Sequence, residues 1–323
     1  MLILLRVLIK NPSLFSAPEK GKAPPLWIRG VLMLTCTGVS FAHGSNDGQK
    51  GMGLLLLILV GLLPGTYALN MTASNEALTG LAKQSSEMSS VFESMAKEPA
   101  LLGKEANDTL AQFIKPQGKT SPAVFSALAG MCREISARVS SLEGFESLPA
   151  DQRGDLRTDL YLLSKAVGKL DKAGKLDIAP GVREKQLALA KNADALTNHI
   201  PDWVKFSVAL ALGLGTMIGY KRIVRTVGEK IGKSHLTYGQ GASAEAVAMG
   251  TILIGDHFGL PVSTTHVLSS GIAGTMAANG SGVQGDTVRN ILLAWVLTLP
   301  VCIFLGALLF AGALNAIALL GVR

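Results

Sequence analysis

The 323-residue chain is 48% hydrophobic and only 16% charged, with a mean hydropathy of +0.37, a balance that excludes an ordinary soluble globular protein of this size. Its formal charge of +7 does not point to nucleic acid. The basic residues gather beside apolar segments, at Lys10, Lys20, Lys22 and Arg29 and again at Lys221, Arg222, Arg225, Lys230 and Lys233, as the cytoplasmic flanks of membrane spans do.

Residues 1–9 are apolar, lack a small-residue cleavage site and are short for a span, so they read as the stump of one. Four prolines among lysines make residues 10–29 an irregular linker. The first membrane element follows, from about residue 27 to 64. An unbroken helix of that length would reach about 57 Å, against a hydrocarbon core of about 30 Å. Its middle, residues 40–51 (SFAHGSNDGQKG), is polar and glycine-rich. The expectation is that this knot divides the element into two half-helices or a re-entrant hairpin.

From residue 72 to 201 the chain turns polar, with acids and bases nearly balanced. Two stripes have helical spacing, Val124-Leu128-Met131-Ile135-Val139-Leu142 and Leu156-Leu160-Leu163-Val167-Leu170. They mark a soluble, mostly helical insertion whose stripes pack against each other. Glycosylation sequons at Asn70 and Asn107 decide nothing.

A span at 203–220 carries Trp203 and Tyr220 at its ends and the basic run beyond it. Residues 242–278 form a second apolar element with a polar centre at 256–266 (DHFGLPVSTTH), and the last span runs from about 291 to 313 with Pro300 as a bend. The resulting domains are 1–26 (stump and linker), 27–71 (membrane segment), 72–201 (insertion) and 202–323 (membrane segments).

At the second centre, Pro261 suits the opening of a helix and Ser263, Thr264 and Thr265 supply cap hydroxyls. A helix N-terminus within a membrane is an anion site, although the hydroxyls could instead back-bond to their own helix. At the first centre, Asn46, Asp47 and bare carbonyls suit a hard cation or a proton relay. Lys50 either neutralises Asp47 or lies at the interface. His43, Asp256 and His266 are candidates for proton handling or support, against the blander reading of hydrogen-bonded structural residues. The three cysteines, Cys36, Cys132 and Cys302, are too far apart for a metal or disulfide pattern. Neither a phosphate-binding loop ending nor a nucleophile–base pair occurs, so an enzyme is not expected.

The stretches SFAHGSNDGQKGMG (40–53), GLGTMIGYKRIVRTVGEKIG (213–232), GLPVSTTHVLSSGIAG (259–274) and AWVLTLP (294–300) resemble the second half of bacterial low-affinity phosphate transporters of the PiT family. The insertion resembles that family only in length and character. The resemblance implies an all-α, multi-pass protein of the bacterial inner membrane, built from two inverted repeats with interrupted helices. It implies that Asn46 and Asp47 bind phosphate and a coupling cation, and that Ser263, Thr264 and Thr265 hold phosphate. It also implies proton symport, with phosphate carried alone or complexed with a divalent metal, and no resident cofactor or metal. No earlier Asn-Asp or Ser/Thr-rich motif precedes Asn46. The expectation is therefore one repeat of a truncated or split transporter, completed by a separate first repeat or by a homodimer. The alternative is a non-transporting regulatory or interaction subunit that docks through the insertion.

Overall fold

The computed structural model describes all residues except 19–21, 97, 177–178, 180, 219 and 322–323. Lys20, Gly219 and the side chain of Arg222, all named above, lie outside that description. Described residues are helical almost throughout, as α1 (Leu2–Leu8), α2 (Leu26–Leu62), α3 (Pro64–Tyr67), α4 (Asn75–Ala96), α5 (Gly103–Ile114), α6 (Pro122–Val139), α7 (Ala150–Lys172), α8 (Val182–Thr197), α9 (Asp202–Met217), α10 (Tyr220–Glu229), α11 (Tyr238–His257), α12 (Thr264–Ala278) and α13 (Gly285–Leu319). They fall into two compact units, Met1–Leu55 with Asp202–Gly312, and Leu56–Pro201 with Ala313–Arg323.

The first element departs from expectation, because α2 runs through the polar knot without a break. Two features explain this. His43, Asn46, Asp47 and Lys50 fall at i, i+3, i+4 and i+7, so the knot is a polar stripe on one helical face. None of Gly44, Gly48, Gly51 and Gly53 takes a positive φ, so these glycines stay helical, at about 1 kcal/mol each relative to alanine. Part of their role is close approach: a Cβ on Gly51 would lie 2.9 Å from Val208 of α9, and one on Gly38 would collide with Met249 of α11.

The second element does break. Gly259 has φ +65; its N–H donates to Asp256 O at 3.2 Å, and the Leu260 N–H donates to Gly255 O at 2.8 Å. These two bonds close α11 in a Schellman stop. Pro261 then prevents continuation, and α12 starts at Thr264 with Ser263 as N-cap. Pro261 therefore follows a helix end rather than opening a helix. The two glycine-rich centres differ because only the second combines a left-handed glycine with a following proline.

Beside this break, α11 and α12 pack along one another, and α1 and the turn at Pro12–Phe15 rest on α11. Leu14 is fully buried. The unit's interior is small, centred on Ile231, Ala244 and Ile272, while apolar side chains such as Phe206, Leu297 and Phe304 stand exposed. α2 and α13 are both long and apolar enough to cross a membrane, and α13 has none of its most apolar window buried. Pro300 lies within α13 without ending it. That last helix starts earlier than the expected 291, at Gly285, and ends at Leu319, short of the outer bound of Leu320 that the sequence allows.

The other unit has the interior of a soluble helical domain. Leu156, Leu160, Leu163, Val167 and Leu170 from one stripe and Val124, Leu128, Met131, Ile135 and Val139 from the other are buried in one cluster, with Leu142 packed against it. α4 lies along α6, where Ser89 donates to Ala129 O at 3.0 Å and Ser136 to Ala82 O at 2.9 Å. Asp159 is 3% exposed. It accepts from Asn107 at 3.0 Å and pairs with Arg138 at 2.9 Å, which commits the Asn107 sequon side chain to the fold.

Burial pushes the Asp159 carboxyl above its ordinary 3.8, against the pull of Asn107 and Arg138. The folded state therefore holds a proton that the unfolded state has released, and stability falls as pH rises from about 3.8 through the raised folded value. Asp159→Asn removes this decline. Denaturant titration of both forms at acidic and neutral pH is expected to show the stability of the native chain, relative to the variant, decreasing towards neutrality.

Candidate functional site

The polar stripe of α2 and the broken segment between α11 and α12 meet at one open cleft of about 420 Å³, lined by Asp47, Lys50, Pro261, Val262, Ser263, Thr264 and Thr265. Asn46 sits just behind it, 3% exposed. Its amide nitrogen donates to Asp256 Oδ1, and its Oδ1 accepts from Lys50 Nζ. Lys50 also donates to the Val262 carbonyl. Asp47 is held by His43 Nε2 at 2.8 Å, and Lys50 Nζ is 3.9 Å from its other oxygen. His43 Nε2 in turn lies 3.4 Å from Thr264 Oγ1.

Of the residues singled out by sequence, Asp47, Lys50, Ser263, Thr264 and Thr265 share the cleft, Asn46 and His43 are bonded to its members, and Asp256 is bonded to Asn46. His266 is separate. It stacks on Trp295 of α13, with ring centroids 3.9 Å apart and planes at 29°.

The end of α12 has the local chemistry of an anion site. Ser263 Oγ accepts the His266 N–H at 3.4 Å, and the Val267 N–H reaches Ser263 O at 3.1 Å. The amides of Thr264 and Thr265 open the first turn of α12 and have no partner within the helix, and the positive end of the helix dipole adds to them.

Three features of the site were not read from the sequence. The Val262 carbonyl serves as an acceptor because it lies in the extended segment, which only the backbone path reveals. Asp256 Oδ2 is buried without a hydrogen-bond partner. Glu245, a lone acid in an apolar run, accepts from Thr35 Oγ1. The pairs Thr35–Glu245 and Asn46–Asp256 are both 210 residues apart in sequence, and the eleven residues between them amount to about three turns on each helix. α2 and α11 therefore run in the same direction with two polar rungs on their facing sides.

Two helices long and apolar enough to cross a membrane, exposed apolar surface and a polar cleft at a helix end are the features of a helical membrane protein. The chain belongs to the phosphate transporter family, which it matches over residues 7–306. It is 40% identical over 299 residues to the low-affinity inorganic phosphate transporter PitA of Escherichia coli (strain K12), covering 90% of this chain and 58% of that protein. It is 39% identical over 313 residues to PitB of the same organism, covering 93% and 60%. With the low-affinity inorganic phosphate transporter of Buchnera aphidicola subsp. Acyrthosiphon pisum it shares 35% identity over 322 residues, covering 96% and 64%. The chain thus spans about three fifths of the length of these relatives, which are transporters and not enzymes. The family match runs through the insertion, further than the motifs alone reached. No solved structure matches the chain.

Ser263→Ala removes the side-chain cap of α12 and is expected to cost the helix start about 1 kcal/mol. Hydrogen exchange at the His266 and Val267 amides checks this: both should exchange several-fold faster, while amides in the middle of α11 stay unchanged.

Proposed function

We propose that the cleft binds inorganic phosphate and that the chain is part of a secondary phosphate transporter coupled to a cation, in the first instance the proton. The observation that carries this reading is the meeting of Asp47 and Lys50 with Ser263, Thr264 and Thr265 around one cleft at the N-terminus of α12. Hydroxyls and free amides can donate to phosphate oxygens without adding charge, and the helix dipole favours an oxyanion.

Asp47 gives a physical reason for coupling. Two like charges about 4 Å apart repel by about 4 kcal/mol at an effective dielectric of about 20, so phosphate binds beside this carboxylate at a cost unless a proton or metal ion offsets its charge. Loading phosphate as a neutral complex with a divalent metal lowers the same cost. His43 Nε2 faces both Asp47 and Thr264 and, with one hydrogen or one lone pair, serves one of them at a time, so His43 is the group that would exchange a proton with Asp47 beside the Ser/Thr-rich motif. In this reading the chain contributes the Asn-Asp and Ser/Thr-rich motifs of one inverted repeat in a bacterial inner membrane, and the matching pair comes from a separate chain or an oppositely oriented copy.

Phosphate uptake by proteoliposomes tests this, with the chain alone and with a separately supplied first repeat. Asp47→Asn and Thr264→Ala are each expected to lower uptake at least tenfold. Absence of uptake in both arrangements, with correct insertion verified, sinks the transport reading. A phenotype that survives Asp47→Asn but is lost on deletion of residues 80–195 would assign the chain to the regulatory alternative.

A further inference from the structure

We infer that the ammonium of Lys50 is a tethered cation filling an oxygen site that would otherwise take a small monovalent metal ion of the sodium class. The inference shares its location with the phosphate reading and deepens it by naming what occupies the cation position. Lys50 Nζ faces three oxygens of different origin: Asn46 Oδ1, the Val262 carbonyl and, at 3.9 Å, Asp47 Oδ1. An amide oxygen, a bare backbone carbonyl and a carboxylate make a hard-cation donor set. An ammonium group has three N–H donors and no acceptor; here it donates to the amide oxygen and the carbonyl and places its charge near the carboxylate, where a metal ion's charge would otherwise stand.

The oxygens are positioned independently of the lysine. Asn46 is nearly fully buried and its amide nitrogen is spent on Asp256, which turns its oxygen towards Lys50. Val262 lies between the Schellman stop of α11 and the cap of α12, so its carbonyl has left the helical ladder. Nor is Lys50 a simple counter-ion to Asp47. Asp47 Oδ2 belongs to His43 at 2.8 Å, and its other oxygen is the most distant of the three around the ammonium.

The consequence is a site that does not respond to sodium while Lys50 is present and does so once Lys50 is removed. The test uses the full chain in lipid nanodiscs without phosphate, exchanging choline chloride for sodium chloride at constant ionic strength and reading melting temperature and binding of radioactive sodium. The unaltered chain is expected to bind no sodium saturably. Lys50→Met and Lys50→Ala are expected to bind it saturably, with a melting temperature a few degrees higher in sodium than in choline, and Lys50→Arg is expected to remain indifferent. Saturable sodium binding by the unaltered chain overturns the inference, and that measurement stands even if a variant fails to fold. A Lys50→Met chain of native helix content that ignores sodium overturns it equally. Phosphate binding measured separately on the unaltered chain keeps the two readings apart: its failure removes the phosphate site and leaves the sodium outcome intact.

Discussion

Polar groups on helices with apolar surroundings must find partners, because an unpaired buried amide or carboxylate costs far more than its pairing returns. The arrangement around Asn46 is built on this constraint. Its amide joins α2 to α11 through Asp256, its oxygen takes the Lys50 ammonium, and the same ammonium reaches the Val262 carbonyl in the break before α12. Asn46 and Lys50 together thereby tie α2 to α11 and to the segment before α12, and the cleft lies where the ties converge. Changing Asn46 would disturb the register of α2 on α11 as well as any ligand.

The break between α11 and α12 is the second requirement. A continuous helix would have kept the Val262 carbonyl and the first α12 amides in its own ladder. Gly259 and Pro261 release them, and Ser263 recaptures only part of what is released. The break thus places a carbonyl outside the helical ladder, taken by Lys50, within a few residues of the unladdered first amides of α12. The unit that holds residues 56–201 follows a different rule. Its stability comes from a broad aliphatic and aromatic core, and its buried carboxylate, Asp159, is embedded in structure.

Much of this was legible in the residues. The stripes of α6 and α7 were readable because a 3.6-residue period is imposed by burial on one face. The Ser263 cap and the break beside it were readable because proline and serine act locally, whereas Thr264 and Thr265, expected as further cap hydroxyls, lie inside the helix. The expected break at His43–Gly51 was misread for a related reason: glycines beside charged groups were taken as a stop, although the i, i+3, i+4, i+7 spacing of His43, Asn46, Asp47 and Lys50 already described a polar face on an intact helix. Glycine ends a helix when its φ is positive, and nothing in the local sequence of Gly44 or Gly48 demands that.

The sequence by itself determined the helical class, the apolar segments, the two polar centres and the residue types each could offer a ligand, since these follow from composition, periodicity and local chemistry. Only the tertiary structure decided that the centres form one cleft, that Asn46 spends its nitrogen on Asp256, and that Lys50 serves the Val262 carbonyl and Asn46 before Asp47. The pairings with Asp256 and Val262 join residues about 210 positions apart. They depend on how α2 lies against α11, which no local pattern encodes.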